Sequence, residues 1–277
     1  LSITNAKAAA WDRLGGDYWN RGYDGGPGPA ACAQYLDGVT PGARVLLVGA
    51  STVALARAAL DAGAELVVAD FSPVLLAALD RLLPGRARHV LADVTDTGTA
   101  LAGGTVLAGG TVLAGGTVLD GGTGFDGGFD LVLADRLVNR FVRAELVRAL
   151  RTLAGAVRVG GRARLSYRLG LYERDHVVLA EAARRGELDA VFDEAAYDVD
   201  YAPAAAWLGA VLSRHGDIPT EALVAFYVGR GREHRLRPGE LDDLVVEATP
   251  AGRRFATAHP RVPGQPDDHL LELTRLA

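Results

Sequence analysis

Four short apolar runs, each closing on or beside a glycine or an aspartate, do most to limit what this chain can fold into. RVLLVG (44–49), ELVVAD (65–70), RHVLADV (88–94) and FDLVLAD (129–135) are continuous rather than alternating. That is the pattern of strands buried on both faces of a parallel sheet. Helix-length segments separate them. In STVALARAALDAG (51–63), Ser51 or Thr52 can cap a helix and Gly63 can end it. SPVLLAALDRLL (72–83) places Ser72 as N-cap and Pro73 at the first helical position. RAELVRALRTLAGAV (143–157) reads as an amphipathic helix and GRARLSYRL (161–169) as a fifth strand. Strands alternating with long crossovers predict an α/β fold with a doubly wound, mostly parallel sheet.

The flanks divide the chain further. Residues 1–40 read as an N-terminal helical and aromatic segment, 41–174 as the core, 175–250 as a helical elaboration after strand five, and 251–277 as closing strands. The elaboration holds four helical stretches: HVVLAEAARRG, AAAWLGAVLSRHG, IPTEALVAFYVG and PGELDDLVVEA. RRFATA (253–258) and HLLELTRL (269–276) are the closing strands.

An insertion at 101–124 interrupts the core. LAGGTV is written three times over 101–118 and echoed in LDGGTG (119–124) and FDGGFD (125–130). It lies in the crossover between strands three and four, which needs only about a dozen residues. TVLA segments separated by Gly-Gly suit short hairpins. A helix is disfavoured because each glycine costs about 1 kcal/mol against alanine. A phosphate cradle is disfavoured because no Lys or Arg occurs between Arg88 and Arg136. Tandem duplication tolerated in a surface loop is the expected origin.

Composition excludes several functional classes. Net charge is −5 and no basic stripe is present, so a nucleic-acid partner is not expected. No uncharged apolar run reaches the roughly 20 residues of a membrane span, so no membrane partner is expected, and no basic-then-apolar leader opens the sequence. A cytoplasmic location is the expectation. Cys32 is the only cysteine and the histidines lack ligand spacing, so neither an internal disulfide nor a metal site is expected.

In open parallel sheets, ligands bind beyond the carboxyl ends of the strands, where strand order reverses. Those ends carry Gly49, Asp70, Asp93 and Asp135. Together with ADFSP (69–73), GGFDLVLADRLVN (127–139) and AVRVGGRARLSY (156–167), this arrangement resembles the class I S-adenosylmethionine-dependent methyltransferases over roughly residues 40–170. The resemblance implies a Rossmann-like methyltransferase fold with S-adenosylmethionine as cofactor. It implies a cofactor turn at Gly49, Ala50 and Ser51, ribose recognition by Asp70 with Phe71 beside it, and adenine recognition near Asp93 and Val94. The usual first motif has an acid within strand one and three spaced glycines; here Leu47, Ser51 and Val53 stand in place of the acid and two of the glycines. Each strand-end aspartate could equally be a turn former or helix cap.

Tyr18, Trp19, Tyr23 and Trp11 are candidates for a lid, or for ordinary packing of the N-terminal helix. After strand five, Tyr167, Arg168, Tyr172, Arg174, Asp175 and His176 crowd the expected rim. Tyr18, Trp19 and Tyr23 together with Arg168 and Tyr172 are the substrate candidates, and Asp135 and His176 the candidate general bases. The expected function is O- or N-methylation of a small molecule, in secondary metabolism. Two rivals keep the fold: an enzyme of cyclisation or intramolecular substitution, and a non-catalytic subunit of a biosynthetic complex. A small-molecule substrate, and a homodimer or a partner protein, complete the expectations.

Overall fold

The computed structural model describes residues 7, 9–14, 26–95, 105–108, 111–112, 128–212 and 218–277. In chain order the central sheet takes β1 (Arg44–Val48), β2 (Glu65–Asp70), β3 (Arg88–Leu91), β4 (Thr105–Ala108), β5 (Thr111–Val112), β6 (Phe129–Ala134) and β7 (Val157–Arg168). A smaller sheet follows, of β8 (Phe192–Asp193), β9 (Asp198–Asp200) and β10 (Arg232–His234). Then β11 (Phe255–Ala258), β12 (Arg261–Val262) and β13 (Gln265–Arg275) return to the main sheet. The helices are α1 (Pro29–Tyr35), α2 (Val53–Asp61), α3 (Pro73–Leu82), α4 (Arg143–Ala156), α5 (Glu173–Arg185), α6 (Leu188–Val191), α7 (Leu208–Val211), α8 (Thr220–Gly229) and α9 (Glu240–Ala248). Residues 9–14 are helical as well.

The main sheet runs β11-β13-β7-β6-β1-β2-β3-β4-β5. Its five central strands, β3-β2-β1-β6-β7, are parallel, while β13 and β11 close one end antiparallel. This is a Rossmann-like, doubly wound α/β architecture. The direction of winding changes between β1 and β6. Leu47 sits opposite Val68 on one side and Leu133 on the other.

Continuous apolar strands follow from burial on both faces. Leu46 and Val48 join one core with Val132, Leu150 of α4 and Leu244 of α9. Val45 and Leu47 join the other with Leu55 of α2 and Leu76 of α3. A third cluster gathers Val178, Val199, Trp207 and Phe226 of the elaboration around Ala10 and Leu14 of the N-terminal helix. Gly229 of α8 permits that approach, since a Cβ there would lie 2.8 Å from that of Ala10.

Three local differences from the sequence expectation have physical reasons. Strand five begins earlier, at Val157, and bends where Gly160 takes φ 77° and Gly161 lies flush against strand β6. A Cβ at Gly161 would fall 2.9 Å from the Phe129 carbonyl oxygen. The 175–250 stretch is not helical throughout. It contains the β8–β9–β10 sheet, and AAAWLGAVLSRHG is α-helical only over Leu208–Val211 within its described part. α9 leaves the elaboration to pack beside α4, contributing Leu241, Leu244, Val245 and Ala248 to the main core. Among the described residues no helix is long and apolar enough to cross a membrane.

Parts of the glycine repeat extend the sheet at its far end. β4 pairs antiparallel with β3, and β5 pairs antiparallel with β4 across the two residues 109–110. That is the TVLA register with a two-residue connection. Deleting residues 107–118 removes two whole units and keeps Thr105 and Val106, the part of β4 that pairs with Leu91 and Val90 of β3. Soluble yield should be unchanged and the thermal midpoint should move by only a few degrees; insoluble or unfolded protein would refute a dispensable tract.

Candidate functional site

At the reversal point between β1 and β6, the strand ends surround a cavity of about 130 Å³. Gly49, Asp70, Asp93 and Asp135 all line it. The turn after β1 is built by backbone geometry and one carboxylate. Gly49 takes φ 106°, a conformation that strains any residue with a Cβ. The Thr52 hydroxyl donates back to the Gly49 carbonyl at 2.7 Å. The N–H of Ala50 donates to Asp70 Oδ2 at 2.7 Å, and the N–H of Ser72 donates to Asp70 Oδ1 at 2.7 Å. Ser72 then caps α3, its Oγ accepting from Leu75 N–H at 3.0 Å and donating to Asp12 at 2.5 Å.

Asp70 therefore closes the turn and lines the cavity at once. Burial pushes its carboxyl up to about 6, against the pull of the backbone N–H donors of Ser72 and Ala50. Each carboxylate oxygen keeps acceptor capacity beyond its one backbone bond. Ser51, Phe71 and Val94 also line the cavity, whereas Val53 lies in the core beneath the turn. Ala50 does not line the cavity: its side chain is fully buried and its N–H is committed to Asp70. The Asp93 carboxylate accepts from the N–H and hydroxyl of Thr95 at 2.8 and 2.7 Å, which turns the chain at the end of β3.

Asp135 follows β6. Its Oδ1 accepts from the Tyr35 hydroxyl at 2.9 Å and from Ser166 Oγ at 2.8 Å. Among the described residues Oδ2 has no hydrogen-bond partner, and Asp135 lines the cavity. Burial raises its carboxyl above the ordinary value, opposed by Ser166, Arg136 and Tyr35. Arg136 takes the left-handed backbone conformation (φ 53°), and its N–H donates to Ser166 Oγ at 2.7 Å. A strained residue of this kind persists only where its surroundings hold it.

A second cavity of about 370 Å³ adjoins the first, sharing Trp11, Arg136, Arg140 and Arg230 with it. Tyr167, Arg168, Tyr172 and Arg174 line it, so the residues expected at the rim after strand five meet here. Arg168 Nε donates to Asp268 at 2.7 Å, and the Arg168 guanidinium lies 5.3 Å from the Tyr172 ring centre. Trp11 packs edge-on against Phe226, 4.9 Å between ring centres. Tyr18, Trp19 and Tyr23 lie outside the described residues.

Two candidates at the rim fall elsewhere. His176 is exposed on α5 and lines neither cavity, because the helix turns it away from the buried face carrying Asp175 and Val178. Asp175 has no exposure to solvent. Its Oδ2 accepts from Arg235 Nε at 2.6 Å and from the Tyr172 N–H at 2.8 Å, and Tyr201 donates to Oδ1. Against the upward push of burial, Arg235 holds this carboxyl below its ordinary value. Asp175 is a structural anion, not a base.

The wall between the cavities holds residues the sequence did not mark. Lys7, the only lysine, donates to Glu145 at 2.7 Å and to the Arg140 carbonyl at 2.9 Å. Arg230 pairs with Glu233, and Arg235 reaches Glu233 at 3.3 Å. His234 is held by Asp198 and Glu240, each at 2.9 Å, which raise its pKa against the effect of burial. In GRGREHR (229–235) the one available signal is the alternation of cations with an acid between two apolar segments.

No protein-family model matches the sequence, and no curated protein matches it. Solved structures do. A Rhodobacter sphaeroides protein provisionally described as a zinc-dependent alcohol dehydrogenase is 28% identical, with 98% of this chain and 99% of that chain covered and a TM-score of 0.83. The CcbJ methyltransferase of Streptomyces caelestis is 14% identical over 98% of this chain and 99% of that one, TM-score 0.59. The 1,6-didemethyltoxoflavin-N1-methyltransferase of Burkholderia thailandensis, solved with its substrate and S-adenosylhomocysteine, is 16% identical over 99% and 86%, TM-score 0.51. The chain has the class I methyltransferase fold. Among the described residues no three His, Cys, Asp or Glu side chains converge to hold a metal ion.

The rim assignments separate under mutation. Asp175→Ala leaves Arg235 charged, buried and half-paired, and should lower the unfolding free energy by about 3–5 kcal/mol in denaturant titration. His176→Ala, on the exposed side of the same helix, should stay within about 0.5 kcal/mol of the parent. Equal effects would contradict these placements.

Proposed function

We propose that this protein is an S-adenosylmethionine-dependent methyltransferase acting on a small molecule at oxygen or nitrogen. The observation that carries the reading is the meeting of Gly49, Asp70, Asp93 and Asp135 around one cavity where the winding of the sheet reverses. The class I fold supports it, and so does the chemistry of the lining. Asp70 has acceptor capacity for sugar hydroxyls, the open space over Gly49 contains nothing within 4 Å of where a Cβ would lie, and Phe71 and Val94 supply apolar contact for a base. S-adenosylmethionine, when bound, supplies an electrophilic methyl group on a sulfonium.

The chain's own residues do three things in this reading. Asp70 ties the turn after β1 to the start of α3, which fixes the cavity floor. Tyr35 and Ser166 hold Asp135 by one oxygen, leaving Oδ2 to take the proton of an acceptor hydroxyl or amine. Trp11 stands against both cavities and restricts water around the reacting atoms. A setting in secondary metabolism belongs to the same proposal.

Calorimetric titration with S-adenosylmethionine and S-adenosylhomocysteine tests cofactor recognition. Both should bind, Asp70→Asn should weaken them at least tenfold, and affinity should decline as pH falls through about 6, where Asp70 takes up a proton. Absence of binding at millimolar cofactor would overturn the reading. Once an acceptor is in hand, Asp135→Asn should reduce kcat by about 10²–10⁴ while leaving S-adenosylhomocysteine binding intact. The parent rate should fall with decreasing pH through a carboxyl value above 3.8, since burial raises Asp135. An unchanged rate in Asp135→Asn would remove it as the base.

A further inference from the structure

The wall between the two cavities carries more positive charge than its carboxylates answer. Lys7 is paired with Glu145, Arg235 with Asp175, and Arg230 with Glu233. Arg140 remains. Among the described residues its one ionic contact is with Glu233 at 3.8 Å, an acid already engaged by Arg230 and Arg235, and its guanidinium makes no hydrogen bond there. The side chain is 28% exposed and lines both cavities. A guanidinium whose five donors make no hydrogen bond among the described residues can receive planar anionic oxygens.

The backbone around Arg140 is held in advance of any ligand. Its carbonyl accepts from Lys7 Nζ at 2.9 Å. The preceding residue, Asn139, exchanges two hydrogen bonds with the Arg168 backbone, each 2.8 Å. The next residue, Phe141, accepts from the His234 N–H at 2.8 Å. The remainder of the second cavity tends the same way. Arg136 and Arg168 share Asp268, and Arg174 lies 4.3 Å from the Tyr227 ring centre. Glu173 is the other carboxylate in its lining, while Tyr172, Phe226 and Tyr227 give it flat apolar surfaces.

We propose that the second cavity receives a carboxylate-bearing substrate with an aromatic or apolar body, anchored by the Arg140 guanidinium. This names the acceptor class for the methyl transfer proposed above and rests on that reading.

Benzoate and phenylacetate, each set against its neutral amide, are the probes. Binding is measured by calorimetry with and without S-adenosylhomocysteine. The acids should bind at least tenfold more tightly than the amides, with the preference abolished in Arg140→Gln and partly kept in Arg140→Lys. Amides binding as tightly as acids, no acid binding at all, or a preference surviving Arg140→Gln would overturn the proposal. If Arg140→Gln does not fold, the parent protein answers. Its Arg140 Nε resonance, assigned by loss in Arg140→Lys, should shift with benzoate and not with benzamide, and an unmoved resonance refutes the anchor. A carboxylate preference without S-adenosylhomocysteine binding would sink the methyltransferase reading alone. Cofactor binding without the preference would sink this inference alone.

Discussion

The guanidinium of Arg235 has no exposure to water, and much of the upper half of the molecule is arranged around that fact. A charge cannot be carried into the interior unless partners replace its hydration. Asp175 of α5 meets it with both oxygens, and Glu233, two residues away on β10, meets its other edge. The Tyr172 ring closes over it, 4.3 Å from ring centre to guanidinium. These contacts lock the start of α5 onto β10. They also fix Glu233 where Arg230 and Arg140 come together above the strand ends. The geometry of the second cavity is thus a consequence of solvating one buried cation with protein groups.

A second carboxylate plays the same part lower down. Asp70 closes the turn after β1 from a buried position, and burial raises its affinity for a proton against the backbone donors that hold it. In a turn of spaced glycines, backbone amides face a ligand. Here one of those amides, that of Ala50, is consumed by Asp70. Ser51 is accommodated in the cavity lining and Val53 in the core below it. The turn keeps its shape with a single glycine because a side chain has taken over part of the work of conformational freedom.

Sequence reading reached the parallel core through hydrophobic runs and caps, signals that act within a few residues of one another. Ser72 caps α3 as its position suggests, and the strand-end acids converge because parallel strands must end on one side. The wall of arginines was illegible for the opposite reason. Lys7, Arg140, Arg230 and Glu233 lie far apart along the chain or inside segments that resemble solvated surface, and only tertiary packing buries them together. Asp175 and His176 show the limit most clearly. As neighbours on a rim they were equivalent in sequence; on a helix, about 100° of rotation separates adjacent residues, so one became an internal counter-ion and the other faces water.

The far edge of the sheet has a different consequence. β4 and β5 run in opposite directions, so this part of the repeat leaves β3 and returns along the sheet. Backbone groups that β3 would present as an edge strand are paired by the insertion itself, and the open edge is handed outward to a segment of the repeat.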